Sequence, residues 1–455
     1  MMELYITELS KYLICFLMIG YAAVSFLVFL FKTEEDRTGF YIFQNILMLM
    51  IQLLCFLQIE TRTGDLTYLF FYGFQLIILM ATIILFHILY PDGNQLIINN
   101  MCMLLMIGMV MLIRIDSAKA IKQFVIAAGS IIIAFLIPQL IYRWRFLKRF
   151  TWLYGIIGTA ALGIVLILGS VTNGSKISYS VAGVTFQPSE FVKIIFVFFL
   201  AAAFYESTSF LQIMIAGIFA AAHVLILVVS KDLGSAVIFF MVYICMVFVA
   251  TGNPLYLIAG LMGGGASSYA AYKLFAHVQV RVQAWKDPWS TIDSTGYQIT
   301  QSLFGISSGG WFGLGVFGGT PKAIPYVEDD FIFSAIAEEL GIIFAVCMIL
   351  VCISIFLMFL YQAYRIRDPF YRLIAFGFGV TYIFQVFLTV GGGCKFIPLT
   401  GVTLPLVSYG GTSVLTTIIM FSIFEGICML QAEEQNDAMM RRKSHRRESR
   451  DLYEE

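Results

Sequence analysis

Charge is scarce in this sequence: Asp, Glu, Lys and Arg together make up 12% of its 455 residues, about half of what a soluble domain carries. That argues against a water-soluble globular fold, and a formal net charge of zero gives no global field to attract nucleic acid. The eight cysteines, from Cys15 to Cys428, lie in or beside apolar runs with no CxxC spacing, which speaks against a disulfide framework or a metal cluster. His87 and His223 stand alone in apolar stretches and read as packing groups. No internal repeat is visible, unlike the repeat-built secondary transporters.

What fills the chain is apolar: 60% of its residues are hydrophobic. A bilayer core about 30 Å thick takes roughly 20 apolar residues per helix. Such runs fall near 12–31, 40–59, 67–90, 95–113, 123–142, 151–171, 188–206, 210–229, 233–251, 254–275, 331–360, 370–392 and 408–430. The sequence therefore predicts an all-α, polytopic transmembrane helical bundle of about 13 spans. The first run has span length and no small-residue cleavage pattern after it, so it reads as an anchor.

Basic clusters orient the bundle. Arg143, Arg145, Lys148 and Arg149, then Arg365, Arg367 and Arg372, then Arg441, Arg442, Lys443, Arg446 and Arg447 mark cytoplasmic loops under the positive-inside rule. Residues 172–187, 276–330 and 393–407 then face outward. Arg114, Lys119 and Lys122 fall on the outer side against the rule. The tail 432–455 is charged and poor in apolar residues, and reads as a disordered or headgroup-facing cytoplasmic segment.

Within or beside the spans, ionisable residues stand out because hydrocarbon penalises a lone charge. Glu190 and Lys193 share one helix face, either stapling the bundle or gripping a polar ligand. Lys231 and Asp232 open another helix, Glu338 and Glu339 lie two turns past Asp330, and Lys395 opens KFIPLTGVTLPLVSYGGTS. The long outer loop 276–330 ends in Asp329 and Asp330 at the mouth of the next span. It carries Trp285, Trp289 and Trp311, side chains that favour headgroups, and the cations Arg281, Lys286 and Lys322. Its glycines at 309, 310, 313, 315, 318 and 319 read either as a mobile stretch or as a backbone nest for phosphate. The small-residue run 260–271 reads as a close helix-packing surface.

Five segments in order carry a resemblance: Gln187 to Lys193 (QPSEFVK), Asp232 to Ala236 (DLGSA), Gly296 to Gln298 with Gln301 to Leu303, Asp330 to Phe333 (DFIF) with Glu338 to Gly341 (EELG), and Pro398 to Gly411. Across residues 93–431 the chain resembles the SEDS family (shape, elongation, division and sporulation), the group of RodA, FtsW and SpoVE. One departure is local: after Ile324-Pro325, where the family has glutamate, this chain has Tyr326, with Glu328 and Asp329 just beyond.

The resemblance implies a ten-helix core at 93–431 preceded by three added helices in 1–92. It implies a peptidoglycan glycosyltransferase in the bacterial cytoplasmic membrane. Such an enzyme polymerises lipid II, a disaccharide-peptide on undecaprenyl diphosphate, at the outer face beside a class B penicillin-binding protein transpeptidase. Asp330 falls at the family's catalytic aspartate. As general base, or as ligand of a divalent cation (Mg or Mn), it suits an inverting displacement of a lipid diphosphate. Glu190, Lys193, Asp232, Arg281, Gln298, Lys322, Lys395 and Ser408 are the expected substrate-binding residues. Two rival readings are a lipid II flippase or transporter, working through Glu190, Lys193 and Lys395, and a non-catalytic scaffold for the transpeptidase.

Overall fold

A computed structural model of the chain describes residues 2–31, 34–172, 175–181 and 184–454. Helices α1 (Met2–Leu27), α2 (Glu34–Thr63) and α3 (Thr67–Leu89) precede α4 (Gln95–Ile115), α5 (Ser117–Ala134) and α6 (Ile137–Arg143). Next come α7 (Thr151–Leu168), α8 (Pro188–Glu206), α9 (Phe210–Val229), α10 (Leu233–Thr251) and α11 (Pro254–Leu274). The long outer loop holds α12 (Ala276–Lys286) and α13 (Tyr297–Gly309), and α14 (Ile332–Leu340), α15 (Ile342–Arg365), α16 (Pro369–Gly393) and α17 (Gly411–Glu454) complete the chain.

Polar residues punctuate the apolar runs at their caps. Asn94, Asp116, Ser209, Asp232, Asn253 and Asp368 each accept a backbone N–H in the first turn of the helix they precede. In lipid no water satisfies those donors, so the cap side chains fix where each helix begins. Pro188, Pro254 and Pro369 occupy first-turn positions, where a missing N–H costs nothing.

The centre of the bundle is α4, whose membrane-crossing stretch is buried on every side. The N-terminal helices supply much of that cover, and amides join them to it. Tyr21 Oη donates to Asn100 Oδ1 at 3.1 Å, Asn100 Nδ2 to Ser354 Oγ of α15 at 2.9 Å, and Asn99 Nδ2 to Gln44 Oε1 at 3.2 Å. A side-chain amide facing hydrocarbon would lack such partners.

Several sequence expectations are corrected. Among the described residues twelve helices pass for membrane spans on length and hydropathy alone; α11 falls short on hydropathy, yet it leads from the far end of α10 back to Arg281 beside Asp232, so it still runs the length of the bundle. It has the length, but Gly and Ser across 260–271 dilute its apolar content. Of its glycines, Gly260 lies against Ile244 and Gly264 against Phe240 of α10. The span expected at 331–360 is two helices, broken at Gly341, where φ is 91°. The outer segment after α7 is not plain loop: β1 (Ser170–Thr172), β2 (Ser175–Val181) and β3 (Val184–Phe186) form an antiparallel sheet in that order. The tail continues α17 as helix to Glu454, while the side chains of the cluster Arg441 to Arg447 lie outside the described residues.

Candidate active site

Asp330 ends the long loop two residues before α14. Its N–H and that of Asp329 both reach Tyr326 O, at 3.2 and 3.1 Å, in a turn that holds Tyr326 at φ 55°. The segment before α17 clamps this turn from the other side. Ser408 Oγ donates to Asp329 O at 2.5 Å and accepts Leu404 N–H at 2.9 Å, while Tyr409 N–H donates to Glu328 O at 2.7 Å. Gln123 of α5 braces the clamp, donating to Ser408 O and accepting from Gly410 N–H. Every one of these bonds uses backbone on at least one side, so the carboxylate position is set by main-chain geometry.

Arg281 of α12 faces Asp330 across Gly401. Its Nη1 donates to Leu399 O at 3.1 Å and Thr400 O at 2.9 Å. A Cβ on Gly401 would lie 3.9 Å from both terminal guanidinium nitrogens and 3.9 Å from Asp330 Oδ2. Gly401 has φ 76°, so glycine suits it for its conformation. Burial raises the Asp330 carboxyl to about 6, against the opposing pull of Arg281. Burial also raises Asp329, to about 7, with Asp330 and Glu328 adding to the rise and Lys119 opposing it. For Arg281, burial works against the charge, and Asp330 and Asp232 sustain it.

Asp232 completes this cluster from the N-terminus of α10, accepting Ser235 N–H at 3.1 Å and bonding Gln187 and Ser189 of the QPS segment. The structure thus brings Asp330, Arg281 and Asp232 together. Lys322 lies on the other side of the Tyr326 turn. It helps line an outer cavity of about 620 Å³ with Tyr68, Arg114, Asp116, Phe317 and Glu328.

The remaining expected substrate ligands sit elsewhere. Glu190 and Lys193 are buried and engaged with protein: Lys193 Nζ bonds Glu190 Oε1 at 2.9 Å and Gln385 Oε1 at 2.7 Å, and Thr416 donates to Glu190 Oε2. They join α8, α16 and α17, which is the stapling role. Ser408 is 1% exposed with its hydroxyl spent on the clamp, where it positions the aspartates. Lys395 takes φ 59° at the end of α16, and its carbonyl accepts the Trp285 indole N–H at 3.1 Å. Gln298, half-buried in the first turn of α13, has no hydrogen bond to the cluster among the described residues.

In the glycine-rich stretch the N–H groups of Gly313, Leu314, Gly315, Val316 and Gly318 are spent on protein, which argues against a phosphate nest there. Leu314 and Gly315 N–H donate to the Glu338 and Glu339 carbonyls at the end of α14, and Gly310 and Trp311 carbonyls accept the first N–H groups of α15. A Cβ on Gly313 would fall 2.3 Å from Glu339 O. These glycines let the loop lie against the helix break.

Sequence reasoning missed the partners of this loop. Arg114 Nε binds Glu339 Oε1 at 2.8 Å, its Nη2 donates to Gly319 O at 3.0 Å, and its guanidinium lies over Phe317. Lys119 pairs with Glu328. The signal was their violation of the positive-inside rule: these two outer cations neutralise carboxylates of the loop and α14.

A family model described as Cell cycle protein, covering FtsW, RodA and SpoVE, matches residues 94–433. Peptidoglycan glycosyltransferase RodA of Mycobacterium tuberculosis is 33% identical over 329 residues, covering 66% of this chain and 67% of that protein. Probable peptidoglycan glycosyltransferase FtsW of Bacillus subtilis is 28% identical over 334 residues, covering 69% and 82%. Among solved structures, a peptidoglycan synthase complex that coordinates polymerization and crosslinking matches at TM-score 0.64 and 23% identity, covering 75% of this chain and 98% of that one. The rod-shape-determining protein RodA of Thermus thermophilus matches at TM-score 0.55 and 23% identity, covering 74% and 96%. With three quarters of its length inside one family model, the chain belongs to the FtsW/RodA/SpoVE family.

Proposed function

We propose that Asp330 is the general base of a peptidoglycan glycosyltransferase that polymerises lipid II at the outer face of the bacterial cytoplasmic membrane. The chain is a multi-pass glycosyltransferase of that membrane. The observation that carries the assignment of Asp330 is its carboxylate, half-buried at the outer end of the bundle and held opposite Arg281 across Gly401.

Extending a glycan requires a sugar hydroxyl to attack an anomeric carbon while a lipid diphosphate departs. Asp330 takes the hydroxyl proton as the new C–O bond forms, and the electrons of the breaking bond leave on the diphosphate. With the carboxyl at about 6, enough of the base is ionised at neutral pH while it keeps useful basicity. Arg281, oriented by the Leu399 and Thr400 carbonyls, supplies fixed positive charge beside the reacting centre.

Among the described residues no three His, Cys, Asp or Glu side chains converge to hold an ion by themselves. A Mg²⁺ or Mn²⁺ fits only as an ion shared with substrate, with Asp330 as protein ligand and phosphate and water oxygens completing the shell. Bound there, it would neutralise charge on the departing diphosphate. The partner is a class B penicillin-binding protein that crosslinks the emerging strand; a structural neighbour is itself part of a synthase that couples polymerization to crosslinking.

Incubating the purified chain with defined lipid II and resolving the products on a gel tests the assignment. Asp330→Asn is expected to slow polymerisation by about 10²-fold or more, the size of a general-base contribution. Wild-type rates from that variant would remove Asp330 from the mechanism.

A further inference from the structure

The family match begins at residue 94, which leaves α1 to α3 without an assigned role. Their outer ends converge on the glycine-rich loop. Gln58 of α2, fully buried, accepts the N–H of Val316 on Oε1 at 2.8 Å and donates from Nε2 to Ser10 Oγ of α1 at 2.7 Å. A serine hydroxyl can play either part but a backbone N–H only donates, so Val316 fixes which way the amide points. Around this bond, Tyr12 packs edge-on against Phe312 with centroids 4.9 Å apart. Tyr68 of α3 meets Phe317 at 6.4 Å, Cys15 Sγ donates to Leu340 O, and Thr7 lies against Gly315.

Of the clamped residues, Phe317 reaches the outer cavity that lies across the Tyr326 turn from Asp330. Phe317 carries the Arg114 guanidinium on its face and lines the outer cavity together with Tyr68 and Lys322. The other side of the active site is held independently, by Ser408 on Asp329 and Tyr409 on Glu328. Releasing Val316 should therefore loosen the cavity wall and leave the Asp330 carboxylate where it is.

We infer that the N-terminal three-helix unit is a built-in clamp on the outer loop whose cavity adjoins the Asp330 turn, and that Gln58 is a positioning residue for lipid II polymerisation. This rests on the glycosyltransferase reading above. A loosened wall weakens substrate binding more than chemistry, so the signature is a raised KM at nearly constant kcat.

The test uses the full-length chain in nanodiscs, with hydrogen exchange read on peptides covering 312–320 and polymerisation kinetics read on defined lipid II. Gln58→Leu removes the acceptor. It is expected to speed exchange at the Val316 amide and to raise KM about fivefold, the size of one lost net hydrogen bond, with kcat within about twofold of wild type. Gln58→Glu, protonated in this buried place, can still accept from Val316 and donate to Ser10, and is expected to restore both readouts. If the leucine variant does not fold, Gln58→Asn keeps the polarity but is one methylene too short to span both partners, and carries the same expectation. Unchanged exchange and unchanged KM in the leucine or asparagine variant, or failure of the glutamate variant to restore them, overturns the clamp. If the wild-type chain polymerises no lipid II, the glycosyltransferase reading fails instead, while the exchange measurement still reports on the bond.

Discussion

An aspartate carboxyl raised from 3.8 to about 6 makes both rate and stability depend on pH, in opposite directions. As a base it works only when ionised, so kcat/KM should rise through about pH 6 and level off above about pH 7; Asp329, at about 7 next door, broadens the rise. The folded chain holds the Asp330 proton more tightly than the unfolded one, so this stabilisation is complete below 3.8 and is lost as pH rises through about 6. Asp330→Asn abolishes that loss. At pH 8 the variant should melt about 1–3 °C higher than wild type while polymerising almost nothing, as read by differential scanning fluorimetry beside the gel assay. A lower melting temperature would mean that the carboxylate is needed for folding. Arg281 was legible in sequence only as one loop cation among several. Its place opposite Asp330 was not legible, because what orients it is a pair of carbonyls more than a hundred residues away, at 399 and 400.

Helices carry the next prediction, through the ion pair that joins α8 to α16 and α17. Lys193→Met alone leaves Glu190 buried without its cation, a loss of about 3–5 kcal/mol. Glu190→Leu combined with Lys193→Met removes both charges, and should recover most of that loss in thermal melts while keeping polymerisation near wild type. A double variant that melts normally but is inactive would restore the ligand-gripping role that the sequence left open for this pair. The apolar runs made most spans legible, because length and hydropathy decide them without tertiary detail. The break at Gly341 was hidden because a lone glycine in an apolar run has many readings, and only the loop packed on it demands its positive φ. A Cβ there would lie 2.5 Å from Gly313 N, so Gly341→Ala should destabilise on the order of 3 kcal/mol in denaturant melts. The small sheet after α7 had a hairpin signal in the dipeptide Asn173-Gly174, overshadowed by the apolar run beside it.

For the whole molecule, the organising fact is that α4 is the hub, covered by lipid-facing helices from both the N-terminal unit and the family core. Its Asn99 finds Gln44 and the Tyr41 carbonyl in α2, and its Asn100 finds Tyr21 in α1. Removing residues 2–92 would leave Asn99 without either of those partners and Asn100 with Ser354, facing hydrocarbon, and would free the loop that Gln58 holds. In lipid an unpaired amide costs more than an apolar surface does, since apolar surface is at home there. A chain lacking residues 2–92 should therefore fail to give a monodisperse, cooperatively melting protein, although the family-matched segment 94–433 is intact. Supplying residues 1–92 as a separate polypeptide should restore it, because the contacts are between helices and do not depend on the connecting peptide. Size-exclusion profiles and melts of the truncated, reassembled and full-length proteins decide the matter. A truncated chain that purifies as a monodisperse species and polymerises lipid II at the wild-type rate would show that the core satisfies α4 without help, and that the N-terminal helices serve something other than the fold.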